Sequence, residues 1–340
     1  MLVPFVVDVE SLEPDQAWSH ATLRACHHQL LDVWRRVGIL VHDGAHFEKS
    51  SFYRAISDLP PTLKIMWLEM AKQLPSVPCA RHWDGIVSPS HVQALCSDAA
   101  LALVDDTRAE VEFGFTDDQD EVPFAKMEDR DFIICRLQAA QHTSVVQEAF
   151  SIAQRNIEIG ESHQDIWKLR FRSLASAPSP DLKRIAIVDR FAVERHDRCS
   201  QDKLSGLERF LRLLDKDAGG PRYVTLYSAL THKLKERGTG REKLKAEMDA
   251  VFRKLPKKNI KRLMVHMVDN AQIGKNAQDR YIRFGRYVWE LGHGLEIFEG
   301  SAAARPCQAT FKSETSSHLK VEGELAGQTQ AFTIKIPHTP

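Results

Sequence analysis

The chain has no net charge, no long apolar run, no close cysteine pairs and none of the common nucleotide or hydrolase signatures. Lysine plus arginine equal aspartate plus glutamate at 46 each, which excludes uniform attraction to nucleic acid or to an anionic surface. No stretch approaches the roughly 18 to 20 apolar residues that a membrane span requires. The start, "MLVPFVVDVE", lacks a basic region and is too short an apolar run for a secretion signal, so it reads as a buried first strand. Six cysteines (26, 79, 96, 135, 199 and 307) are scattered along the 340 residues, which fits reduced thiols in a cytoplasmic protein better than a disulfide framework. Walker A, G-x-G-x-x-G and G-x-S-x-G patterns are all missing, which removes support for nucleotide hydrolysis and α/β-hydrolase chemistry.

What is present is ordinary globular material, 43% hydrophobic and 27% charged, long enough for two cores. Its charge is unevenly placed. Residues 101–131 carry eleven acidic groups against Arg108, Lys126 and Arg130, a net of −8, while residues 235–262 carry eleven basic groups against four acidic ones, a net of +7.

In the amino-terminal part, "FVVDVE" and "LALVDD" read as apolar strands ending in carboxylates. "AEVEFGF" alternates with the period of a half-buried strand, and residues 129–175 read mostly as helix. "SAPSP" (176–180) reads as a linker, because two prolines and small polar residues end one helix without starting another. Beyond it, "RIAIVDRF", "RYVTLYSAL" and "IKRLMVHMVD" are strands separated by two amphipathic helices. Period-two runs follow, including "HLKVEGEL…QAFTIKI". Strands alternating with helices imply a parallel sheet, with antiparallel strands at the end. The expected organisation is α/β with a mixed amino-terminal domain over 1–160, a helix and linker over 161–180, and a second domain over 181–340.

The element order of 181–336, with "VDRF", "QDRYIRF" and "ELGHGLEIF", resembles the phospholipase-D-like domain at the C-terminus of microtubule-interacting and trafficking proteins. It is similar also to bacterial relatives of that domain, several of them in candidate defence proteins. The resemblance implies a mixed sheet flanked by helices and a site in which a histidine attacks phosphorus beside a cation. Gln278 stands where that histidine would be, and an amide nitrogen, its lone pair delocalised, is no nucleophile. The resemblance leaves Arg280 as a phosphate-binding remnant. His266 and His293 are the candidate substitutes, against plainer roles as a core strand residue and a turn residue. A prokaryotic antiviral or mobile-element setting is the implied context.

Metal chemistry has a separate candidate. Mg²⁺ or Mn²⁺ takes a few carboxylate oxygens and keeps waters. Asp8, with Asp105 or Asp106 and Asp129 or Asp131, could supply them, as in PIN-like nucleases, which this half resembles only in having an aspartate after its first strand. Capping and a solvated rim are the competing roles. Cys79-x2-His82 and His42-x3-His46 have zinc-like spacing, but Cys96 is the only obvious further ligand. Lys254, Lys257, Lys258, Lys261 and Arg262 mark a basic turn suited to nucleic-acid phosphates, anionic lipid or the acidic segment of a partner, a second copy included. Few aromatics lie among these charges, so base stacking is not expected there. Two function classes follow: a metal-dependent nuclease with a non-catalytic binding domain, or an adaptor docking on a protein or membrane.

Overall fold

A computed structural model describes residues 1–12, 19–79, 86, 89–127, 131–199, 203–276, 280–327 and 330–337. The chain forms two compact units, Met1–Ser151 and Ile152–Pro340. Among the described residues no helix is long and apolar enough to cross a membrane. The α/β architecture expected from the sequence is present in both units.

The first unit holds β1 (Val3–Val7), β2 (Gly38–His42), β3 (Ser76–Pro78), β4 (Leu101–Val104), β5 (Glu121–Lys126) and β6 (Asp131–Arg136). Their order is β3-β2-β1-β4-β6-β5, with only β5 antiparallel to its neighbour. The central strands are almost entirely buried, as a parallel sheet with both faces covered demands of continuous apolar runs. Gly38 is required by a close approach: a Cβ there would lie 2.7 Å from both the Phe5 ring and the Trp34 Cα.

Two local expectations fail here. "AEVEFGF" is not a strand. Asp105 accepts the Arg108 amide (2.8 Å) and caps a helix, Asp106–Val111, and the cap overrides the alternation. Residues 131–136, read within a helix, form β6 instead, because "FIICR" is buried throughout between β4 and β5.

The second unit holds β7 (Arg184–Val188), β8 (Arg222–Leu230), β9 (Ile260–Asp269), β10 (Tyr281–Phe284), β11 (Tyr287–Leu291), β12 (Ala309–Lys312) and β13 (Gln330–Pro337) in the order β12-β11-β10-β7-β8-β9-β13. The first three are parallel; the others run antiparallel to their neighbours. "HLKVEGEL" joins no sheet. It lies in the helix Ser316–Gly327, whose buried Glu322 receives both Arg283 nitrogens, Nε at 2.6 Å and Nη2 at 2.5 Å.

The unit boundary falls at 151/152, so the helical segment before "SAPSP" belongs to the second core. Trp167 and Phe171 pack against Phe210 and Phe298. The linker expectation fails with it. The fully buried Arg222 donates through Nη2 to the carbonyls of Ala175 (2.5 Å) and Ala177 (2.7 Å), and Ser179 is also fully buried. Burial pushes the Arg222 guanidinium down to about 10, a cost borne in order to pin this segment.

Candidate functional site

In the first sheet the chain order reverses at β1, which has β2 on one side and β4 on the other. Open α/β sheets place ligands at the carboxyl ends of strands at such a reversal, and Asp8 and Asp105 follow β1 and β4 there. They do converge, on a guanidinium. Arg108, from the helix that Asp105 caps, places Nε 2.8 Å from Asp8 Oδ2 and 3.7 Å from Asp105 Oδ2, and it also pairs with Glu10. Its Nη1 donates to the Ile86 carbonyl at 2.8 Å. Ser11 Oγ lies 3.4 Å from both aspartates.

Asp8 is 1% exposed. Burial pushes its carboxyl up to about 6, although Arg108 and the Ile86 amide pull the other way. Asp8 Oδ1 has no bonded partner among the described residues.

The remaining carboxylates do not join this cluster. Asp106 turns to a second arginine, Arg136, accepting from Nη1 at 2.8 Å and from Gln138 Nε2 at 2.7 Å, and Glu110 shares that guanidinium at 3.2 Å. Asp131 opens β6. Since β6 runs parallel to β4, Asp131 sits at the opposite edge of the sheet from Asp105. Asp129 lies outside the described residues, as does His82.

Among the described residues no group of three His, Cys, Asp or Glu side chains could hold a metal ion. Asp8, Glu10 and Asp105 have the oxygen chemistry that Mg²⁺ or Mn²⁺ takes, but the cation they surround is Arg108. A divalent ion would have to displace it. The signal for this was local: Arg108 lies three residues after Asp105, one helical turn back toward its own cap.

At the corresponding edge of the second sheet the charges reverse. Asp189, 1% exposed, accepts the Phe191 amide (2.9 Å) and the Leu295 amide (2.8 Å). It thereby ties the turn after β7 to the "GHG" turn after β11. Gly294 has φ +57°, and a Cβ there would run into the Asp189 carboxylate, so the second glycine of the motif is dictated by conformation and by space.

Arg280 enters β10 with its Nε 4.0 Å from Asp189 Oδ1. Its guanidinium carbon lies 5.1 Å from the Phe191 ring centroid, and that of Arg190 lies 5.2 Å from the same ring. Arg190 Nε donates to Asn270 Oδ1 at 2.9 Å. Arg280 Nη1 is buried and has no partner among the described residues. Arg190 stands in the quoted "VDRF", but only the fold brings it beside Arg280.

The two histidines part company. His266 is 6% exposed, stacks on Tyr227 (4.9 Å between centroids, 14° between planes) and places Nδ1 3.0 Å from Thr333 Oγ1. Held in this way, it serves as a core strand residue. His293 stays at the edge, part-exposed, with Nε2 3.1 Å from the Pro306 carbonyl and its amide donating to Cys307 Sγ at 3.3 Å. Gln278 and Asp279 lie outside the described residues.

The basic segment sorts into engaged and outward charges. Arg237 (3.0 Å) and Lys243 (2.8 Å) are held on Asp197, and Lys245 (2.7 Å) on Asp249. Lys254, Lys257, Lys258 and Lys261 are exposed. Their turn is rigid, because the fully buried Asp215 accepts the amides of Lys257 (2.6 Å), Lys258 (2.9 Å) and Ile260 (3.0 Å). Arg262 lies apart from the lysines, its guanidinium 5.6 Å from the Tyr223 ring centroid. Comparison of the chain with protein-family models and with curated proteins gives no match.

Proposed function

We propose that the protein binds nucleic-acid phosphate at the Arg190–Arg280 edge of its second sheet and does not cleave it. One observation carries this reading: two guanidinia share the Phe191 ring, and one of them keeps a buried Nη1 with no partner among the described residues. The ring tolerates both cations, yet the two still repel, and an anion between them would relieve the repulsion and satisfy the open donor. Phosphate suits a pair of guanidinium forks better than it suits lysine alone. Cleavage has lost its motif nucleophile to Gln278, and of the two substitutes His266 is stacked on Tyr227 while the His293 ring is engaged by the Pro306 carbonyl.

In the first unit Arg108 takes the cation's place among the carboxylates, so metal-dependent cleavage is not part of this reading. The antiviral or mobile-element setting is supported by the resemblance alone. The test uses the full chain and a labelled oligonucleotide. Arg190→Ala with Arg280→Ala should weaken binding by roughly ten- to hundredfold, as loss of two charge-assisted contacts implies. No cleavage should occur with or without Mg²⁺ or Mn²⁺. Turnover that disappears in His293→Ala would overturn the reading.

A further inference from the structure

We infer that the open end of one face of the second sheet is a stacking platform for single-stranded nucleic acid, centred on Tyr223. The register pairs Arg184 with Tyr223 and Tyr223 with Arg262 across β7, β8 and β9. Directly paired residues leave the same face of a sheet, and so do residues two apart along each strand. Thr225 and Met264 therefore share this face, and so does Lys335, which pairs with Met264.

Toward the carboxyl ends of β7 to β9 the same face is closed. Val188, Tyr227, Val268 and Tyr281 are buried there with Ile273 and Leu325 of the covering helices. Toward the other end it is open. Tyr223 is 38% exposed, Arg184 and Lys335 are exposed, and Thr225, Arg262 and Met264 are half-buried.

What sets the half-exposed Tyr223 ring apart is that it lies among cations. Arg262 holds its guanidinium over the ring, while Arg184 lies on the neighbouring strand and Lys335 beyond β9. No acidic residue occupies these face positions. A flat sheet with an aromatic ring and flanking cations offers a base its π-face and the backbone its phosphate partners. A duplex, its bases already stacked, would gain nothing from Tyr223. A membrane would call for protruding apolar groups, and a single half-exposed ring in a sheet plane does not supply them. The basic segment alone gave no reason to expect stacking, because Tyr223 precedes it by a helix and joins it only through the β8–β9 register.

This platform is independent of the Arg190–Arg280 edge. The experiment is titration of the full chain with a labelled thymidine oligonucleotide of about twelve nucleotides, within the usual site sizes of single-strand binders. Tyr223→Ala should weaken binding by roughly tenfold or more, the value of one stacked base, and Tyr223→Phe should bind nearly as wild type. Arg184→Ala and Arg262→Ala should each lower the slope of log affinity against log salt by about 0.7. The same Tyr223 dependence should persist in the Arg190→Ala/Arg280→Ala background, so failure of one site is separable from failure of the other. In Tyr223→Trp, indole emission should fall on adding oligonucleotide by more than in the wild type, a readout that stands even if Tyr223→Ala does not fold. Equal affinity of wild type and Tyr223→Ala, unchanged Tyr223→Trp emission, or binding only to duplex or to phosphatidylserine vesicles would each overturn the inference.

Discussion

At the reversal point of the first sheet three carboxylates share one arginine; at the matching edge of the second, two arginines share one phenylalanine. Both are clusters of like charge at strand ends, where α/β folds place ligands. Each keeps one buried atom without a partner among the described residues, Asp8 Oδ1 and Arg280 Nη1, and they differ in how far the charge is already answered by close ion pairs. Arg108 answers Asp8, Glu10 and Asp105 within the chain. Among the described residues Arg280 reaches its nearest carboxylate only at 4.0 Å and keeps an Nη1 unused. The lesson concerns bookkeeping of partners: a charged cluster points to a ligand when its own chain has not completed it.

If that distinction is real, the buried Arg283–Glu322 pair should cost stability when it is cut, and the unspent Arg280 should cost mainly binding. The largest effect is expected inside the second unit. Glu322→Ala leaves the buried Arg283 guanidinium without its carboxylate, a loss of about 3–5 kcal/mol, measurable by urea unfolding. Arg280→Ala should cost clearly less stability than Glu322→Ala, about 1 kcal/mol, while weakening oligonucleotide binding. Equal destabilisation by the two variants would break the comparison.

Asp8 gives the next effect, and it carries a sign. Its carboxyl is pushed up to about 6 in the folded chain against 3.8 for a free aspartate, so the native state holds the proton more tightly than the unfolded one. Its favourable contribution is complete below the unfolded value and is lost as pH rises through about 6. At pH 8 the ionised, buried group should cost up to about 3 kcal/mol relative to its protonated form. Asp8→Asn should therefore stabilise by about 1–3 kcal/mol at pH 8 and by little near pH 4, as melting curves at the two pH values would register. Wild type should not respond to Mg²⁺ or Mn²⁺, because Arg108 holds the cation position; Arg108→Ala, with three carboxylates exposed to one another, should gain stability from either ion. A metal-dependent rise in the wild-type melting temperature, with cleavage, would instead mean that Arg108 yields to the ion.

Much of this was legible in residue pattern. "FVV", "LALV", "RIAIV" and "LMVHMV" are apolar runs of strand length, and their alternation with helices announced parallel sheets. Patterns misled where a local group outweighed periodicity. The Asp105 cap drew the start of "AEVEFGF" into a helix ending at Val111, and Arg222 drew "SAPSP" into a wall of the second unit. Apart from the Asp105–Arg108 spacing, the sites depended on contacts that no local pattern encodes. Asp8 and Asp105 meet only because β1 pairs with β4, a convergence the strand-end argument reached, whereas their shared arginine escaped it. Arg190 meets Arg280 because Val188 pairs with Tyr281, which places the residues just beyond them side by side. Asp131 was misjudged because its position at the start of β6, not the end of β4, decides which edge it faces.

The smallest stability effect is expected at the basic turn, where it sharpens the contrast between position and charge. Asp215 fixes the backbone there through the amides of Lys257, Lys258 and Ile260, and the two lysine side chains are exposed. Lys257→Glu with Lys258→Glu leaves those amides in place, so unfolding free energy should move by no more than about 0.5 kcal/mol. If the lysines contact phosphate, affinity for an oligonucleotide should drop and its salt dependence should flatten by about 0.7 per lost contact on a single strand. Asp215→Ala reverses the pattern: the lysines remain, but three amides lose their acceptor, and the buried one, that of Ile260, costs about 1–3 kcal/mol when left unsatisfied. Unfolding and salt titration on both variants separate the alternatives. A salt slope unchanged in the double lysine variant would assign the turn to the fold alone and leave polyanion contact to the Tyr223 face and the Arg280 edge.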